Sequence, residues 1–164
     1  GPASIVGQPA SVAGCATGSA SFTVTAGNPA ASRYQWQVLD AGAWVAVGEG
    51  DITLSDGRAF GAAGATAGML VVGPASSASV VQLTRASFRC VVSSACSGLG
   101  VTSDVAELSI CRADSNCDGF VDFFDYDDFV AAFESGAPGA DYNADGFLDF
   151  FDYDDFVTGF EAGC

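Results

Sequence analysis

The sequence predicts an all-β sandwich followed by a small α-helical domain built from two copies of one loop-and-helix unit. Three observations predict it. Short alternating stretches separated by turn residues run to about residue 110, the composition turns sharply acidic and aromatic after Cys111, and residues 114–134 recur at an offset of 27.

The alternating stretches come first. In Ser19–Thr25, Ala20, Phe22 and Val24 fall on one face, and in Arg33–Leu39, Tyr34, Trp36 and Val38 do the same. Ala43–Val47, Met69–Val72, Phe88–Ser93 and Val101–Ile110 complete the set, with Gly27-Asn28-Pro29 and Ser55-Asp56-Gly57 as turns. Period-two alternation buries one face of each strand, and several short strands at this spacing argue for a sandwich or barrel. The Gly/Ala-rich run Gly61–Gly68 reads as a loop or a weak edge strand.

Composition excludes several functions. The 164-residue chain carries 5 basic and 20 acidic residues, no histidine and a net charge of −15. Such a surface repels nucleic-acid phosphates and anionic membranes. No apolar run is long enough for a membrane-spanning segment. No leader is visible, and Gly1-Pro2 reads as a scar of tag cleavage. With no histidine and no serine in a G-x-S-x-G setting, the sequence is expected not to be an enzyme. Residues 112–164 hold 14 of the acidic groups against Arg112 alone, together with 13 Phe and Tyr. An acidic block this aromatic is expected to fold, and its charge calls for a bound cation.

Six cysteines without histidine suit disulfides in an oxidising compartment, hence an extracellular or cell-surface location. Cys90/Cys96 and Cys111/Cys117 are each six apart, which is not zinc-knuckle spacing.

The repeat carries the chemistry. DSNCDGFVDFFDYDDFVAAFE and DYNADGFLDFFDYDDFVTGFE agree at 16 of 21 positions. Each opens on D-x-N-x-D-G-x-x-D-x-x-D. Calcium takes six to eight oxygens at about 2.3–2.6 Å, and a loop of twelve residues can wrap it. The first copy offers Asp114, Asn116, Asp118, Asp122 and Asp125 at positions 1, 3, 5, 9 and 12, with the Phe120 carbonyl at position 7 and Gly119 at the turn. The second offers Asp141, Asn143, Asp145, Phe147, Asp149 and Asp152, with Gly146. An oxygen-only donor set suits a hard ion, and magnesium gives up its waters less readily, so two Ca2+ ions are expected. A helix should follow each loop, its core face made by Tyr126, Phe129, Val130 and Phe133, and by Tyr153, Phe156, Val157 and Phe160. No entering helix precedes either loop. Phe124 and Phe151 lie off the apolar stripe, where contact with a partner and simple packing are both open.

Residues 3–111, through GSASFTVTA, YQWQ and FRCVVSSAC, resemble a bacterial immunoglobulin-like domain. The resemblance makes Trp36 the buried tryptophan of the sandwich. It places Val24 where a cysteine would pair with Cys90, and Phe88 where a tyrosine corner would stand. Residues 112–164 resemble a dockerin, with Asp rather than Glu closing each loop; FFDYDDF and the final Gly163-Cys164 resemble the anchoring modules that end planctomycete surface proteins. The whole then reads as an all-β immunoglobulin-like sandwich followed by a small α-helical dockerin-like domain with two EF-hand-type calcium loops.

The resemblance implies a calcium-dependent, non-catalytic anchoring module whose partner is a surface protein, cohesin-like or another receptor. Dockerins that bind cohesins carry small hydroxyl residues at loop positions 10 and 11. Phe123, Phe124, Phe150 and Phe151 stand there instead and become the expected partner-binding residues. In a dockerin-like fold the chain ends meet, so Cys164 is expected to bridge Cys117 or Cys111. The alternative is a glycan- or ligand-binding sandwich using Trp44, for which hairpin packing is the simpler role.

Overall fold

A computed structural model describes residues 2–15, 18–76 and 81–163. Two sheets face one another. In the first, β5 (Ser32–Asp40) and β11 (Arg85–Ser94) are central, and the order is β2 (Val12–Cys15), β13 (Ala106–Cys111), β11, β5, β6 (Ala43–Ala46), with β12 (Gly100–Thr102) on β11. In the second, β3 (Ala20–Thr23), β9 (Met69–Gly73), β8 (Arg58–Ala63) and β10 (Val81–Gln82) follow in order, with β7 (Gly50–Thr53) on β8. A short pair, β1 (Ile5–Gly7) and β4 (Thr25–Ala26), closes one end. β2 runs parallel to β13 while its sheet is otherwise antiparallel. Two packed sheets with Trp36 of a central strand buried between them make the sandwich immunoglobulin-like.

The alternation seen in the sequence decides the core. Phe22, Trp36, Phe60 and Phe88 are fully or almost fully buried, and Phe88 packs 5.2 Å from Phe22 and 5.7 Å from Phe60. Trp36 Nε1 donates to the Ala67 carbonyl at 2.9 Å, so its one polar atom is satisfied. Val24 and Cys90 lie in this core without an intersheet disulfide. Cys90 is a buried free thiol, and loss of hydration pushes its pKa up to about 11, against a smaller opposing hydrogen bond from the Gln35 backbone.

Two expectations about strands need correction. Residues 61–68 are not simply a loop or edge strand, because Gly61–Ala63 belong to β8, which pairs with β7 on one side and β9 on the other. Small residues suit it, since a Cβ on Gly61 would stand 3.0 Å from the Pro74 carbonyl oxygen. Val101–Ile110 is not one strand either. It breaks at Ser103, whose hydroxyl accepts from the Cys90 amide at 2.9 Å and donates to the Asp104 carbonyl at 2.8 Å.

The chain leaves β13 at Cys111 and enters a helical unit with α1 (Phe123–Glu134) and α2 (Phe150–Ala162). Phe129 and Phe156, equivalent in the two copies, stack at 3.8 Å and 4° on the local pseudo-twofold axis. Tyr126 and Tyr153, also equivalent, join through their hydroxyls. Val157 packs on this core, whereas Val130 lines an outer groove.

The copies differ where the fold needs asymmetry. Tyr142, in place of Ser115, sets its ring edge-on to both Phe129 and Phe156 and carries the Arg112 guanidinium 4.6 Å from its centroid. A Cβ at Gly159 would stand 2.5 Å from the Tyr142 hydroxyl, whereas the first copy has Ala132 there. Gly→Ala inside a helix ordinarily stabilises by about 1 kcal/mol. Gly159→Ala is expected to lose that gain against Tyr142, and adding Tyr142→Phe should restore it. Thermal melts of the two variants check this, and a Gly159→Ala protein that is alone more stable by the full helix increment would sink it.

Cys117 differs from Ala144 because it forms a disulfide with Cys15, 102 residues away. Of the two partners expected for Cys164, this rules out Cys117: β2 lies beside β13 and brings Cys15 to the first loop. Cys111 is also disulfide-bonded, and Cys164 lies outside the described residues.

Candidate functional site

Each loop is organised by its own carboxylates. Asp114 accepts from the amides of Asp118 at 3.1 Å and Gly119 at 3.0 Å, Asn116 Oδ1 accepts from Asp118 at 2.9 Å, and Asp118 accepts from Phe120 at 2.9 Å. Asp125, fully buried, accepts from Ser115 at 2.7 Å, Asn116 at 3.1 Å and Asp122 at 2.9 Å. Asp122 accepts from Phe124 and caps α1. The capping box therefore uses Asp125 both as the third helical residue and as the twelfth loop residue.

The second loop repeats the pattern. Asp141 accepts from Asp145 and Gly146, Asn143 from Asp145, Asp145 from Phe147, and Asp149 caps α2 through Phe151. Buried Asp152 accepts from Asn143 and Asp149. Gly119 and Gly146 have φ of 90° and 89°, a turn that favours glycine. Cys117 and Ala144 share a left-handed φ of 62° and 59° without being glycine, which marks position 4 as locally strained in both copies.

Among the described residues, no group of three or more His, Cys, Asp or Glu side chains is drawn together as a metal-binding group. The carboxylates are turned onto backbone amides. A carboxylate has about four lone-pair sites, so those holding one to three amides retain acceptor capacity. The donor chemistry of both loops fits a hard cation. Asp125 and Asp152 are buried carboxylates, and the sole salt bridge among the described residues is the distant, exposed Arg58–Asp56 pair. A buried carboxylate with no countercharge is costly, and a cation held by the loop would supply one.

The expected partner-binding residues Phe123, Phe124, Phe150 and Phe151 are all strongly exposed. Phe120 and Phe147, read from the sequence only as carbonyl donors, are exposed as well, and the six side chains span 66–72 %. Adjacent Phe-Phe pairs in a small acidic domain were a signal for exposed aromatics. The sequence had no comparable signal for Phe120 and Phe147, whose position 7 carries a backbone role. Beneath these rings, the Tyr153 hydroxyl has its pKa raised, first by its hydrogen bond with Tyr126 and then by burial. Burial raises that of Tyr142 too, opposed by Arg112 and reinforced by Asp155.

The chain is similar to immunoglobulin-repeat structures. One is the N-terminal Ig1-2 module of the Drosophila receptor protein tyrosine phosphatase DLAR, at 20% identity and a TM-score of 0.42, over 70% of this chain and 51% of that one. Another, the tandem Ig repeats of Dlar, matches at 20% identity and 0.42 over 68% and 49%. The chain spans about half the length of each. No family model matches the sequence, and no curated protein matches it.

On the sandwich, Trp44 is half-buried and Arg89 lies 4.3 Å over its ring, held by Gln37 at 2.7 Å. Arg89 comes from β11, outside the β5–β6 hairpin, and covers one face of the Trp44 ring. No helix among the described residues is long and apolar enough to cross a membrane.

Proposed function

We propose that residues 112–164 form a calcium-folded, non-catalytic module that anchors the protein to another surface protein, with residues 3–111 as the immunoglobulin-like domain that carries it. The observation that carries this reading is the pair of matching loops, each closed by a fully buried aspartate with no cationic side chain against it. Asp114, Asn116, Asp118, Asp122 and Asp125, with the Phe120 carbonyl, would hold one ion. Asp141, Asn143, Asp145, Asp149 and Asp152, with the Phe147 carbonyl, would hold the other. Calcium would supply the positive charge that lets acidic loops close. The chain's own residues turn the backbone at Gly119 and Gly146, start the helices at Asp122 and Asp149, and hold the phenylalanines outward. The Cys15–Cys117 disulfide fits an extracellular or cell-surface location.

Titration calorimetry tests the reading. Two calcium ions per chain are expected, with chelation unfolding the helical module and leaving the sandwich folded. Fewer than two sites, or helical circular dichroism unchanged in excess chelator, would remove the basis of the proposal. The glycan-binding alternative finds one face of the Trp44 ring already covered by Arg89.

A further inference from the structure

Four rings cross the pseudo-twofold axis of the helical module in one row. Phe123 stacks on Tyr126 at 6.4 Å, Tyr126 meets Tyr153 at 6.4 Å, and Tyr153 stacks on Phe150 at 6.2 Å. The joined tyrosine hydroxyls fix the centre, and Phe160 and Phe133 buttress it from below at 5.9 and 6.1 Å. The two outer phenylalanines are left exposed. Beside the row a groove of about 430 Å³ is lined by Val130, Phe133, Glu134, Phe150 and Tyr153.

The charges around this row are one-sided. Asp127 and Asp154 lie four residues after Phe123 and Phe150, one helical turn away on the same side. Glu134 lines the groove, and Glu161 is its repeat equivalent. None of these four carboxylates belongs to the calcium motif, and no salt bridge engages them among the described residues. The domain's single arginine, Arg112, is stacked on Tyr142. Aromatic faces and carboxylates share one preference, a cation, and arginine satisfies both at once.

Resting on the anchoring reading above, we propose that the Phe123–Tyr126–Tyr153–Phe150 row is the docking surface, and that its occupant is a basic peptide segment alternating arginine or lysine with apolar residues. A second copy of the chain does not suit it, because two such acidic faces repel.

The test uses the full chain in saturating calcium and a labelled peptide of alternating arginine and leucine, read by fluorescence anisotropy. A glutamate–leucine peptide and the neutral sugar cellohexaose serve as other probes. Binding of the arginine peptide is expected, weakening with salt. It should fall about tenfold or more in the Phe123→Ala/Phe150→Ala protein, which should still take up two calcium ions. Asp127→Asn/Glu134→Gln/Asp154→Asn/Glu161→Gln should flatten the salt dependence. Undiminished binding to the phenylalanine variant means bulk charge alone and overturns the proposal, as does preference for the acidic peptide or the sugar. A chain that takes up two calcium ions without binding the arginine peptide overturns this inference and leaves the anchoring module standing. A chain that binds the peptide through the row but takes up no calcium does the reverse.

Discussion

Asp125→Ala combined with Asp152→Ala is expected to unfold the helical module while the sandwich stays folded. Asp125 holds three amides, from Ser115, Asn116 and Asp122, and Asp152 holds those of Asn143 and Asp149. Truncation leaves these donors facing a site from which the side chain had excluded water. Each costs about 1–3 kcal/mol where water cannot replace the acceptor. The change also removes the proposed closing ligand of both loops. These losses together approach the stability of a small domain, about 5–15 kcal/mol. Circular dichroism in saturating calcium should show the helical signal lost, with a sandwich transition kept near its original temperature. The Asn pair retains a carbonyl acceptor at each site but drops the charge, so it should keep more helix than the Ala pair while losing calcium affinity. An Ala pair that melts like the parent would show that neither aspartate holds its loop.

Truncating the central stack has the next largest effect. Phe129 and Phe156 meet face to face and are buried, so each change to alanine should cost about 3–5 kcal/mol through lost contact and the cavity left behind. The two losses overlap, because either truncation already destroys the stack. The double variant should therefore cost less than the sum by about 0.5–1.5 kcal/mol, the coupling typical of an aromatic pair. Urea melts of the parent, both singles and the double, followed by the helical signal in saturating calcium, give this number directly. A single variant that loses under about 1 kcal/mol would deny these rings their place in the core.

The loops, the helices and the stronger strands were legible because their signals are local. Loop positions 1, 3, 5 and 12 lie within one short segment, where a carboxylate reaches an amide only a few residues away, as Asp114 reaches Gly119. Phe22, Trp36 and Val38 were legible as core because a strand places alternate residues on one face. The end of β8 reads in the sequence only as a loop or weak edge because Gly61, Ala62 and Ala63 carry little apolar bulk. Its interior place comes from pairing with β7 and β9, and no property of the segment itself announces those neighbours. The four-residue β2, with Cys15 at its end, is too short and too small in its side chains to carry a strand signal either.

The sequence by itself determined that residues 114–134 and 141–161 are two copies of one acidic loop and helix, and that an alternating β domain precedes them. Tertiary structure decided how those copies meet and how they are attached. Phe129 finds Phe156, and Tyr126 finds Tyr153, because two equivalent helices pack about a local twofold axis. Tyr142 and Gly159 depart from the repeat together because one ring fills the space that the other's missing side chain leaves. Cys117 bonds Cys15 across 102 residues because β2 lies in parallel register beside β13. A local pattern carries the free energy of its own turn or face, whereas these pairings depend on surfaces that exist only once distant segments have packed.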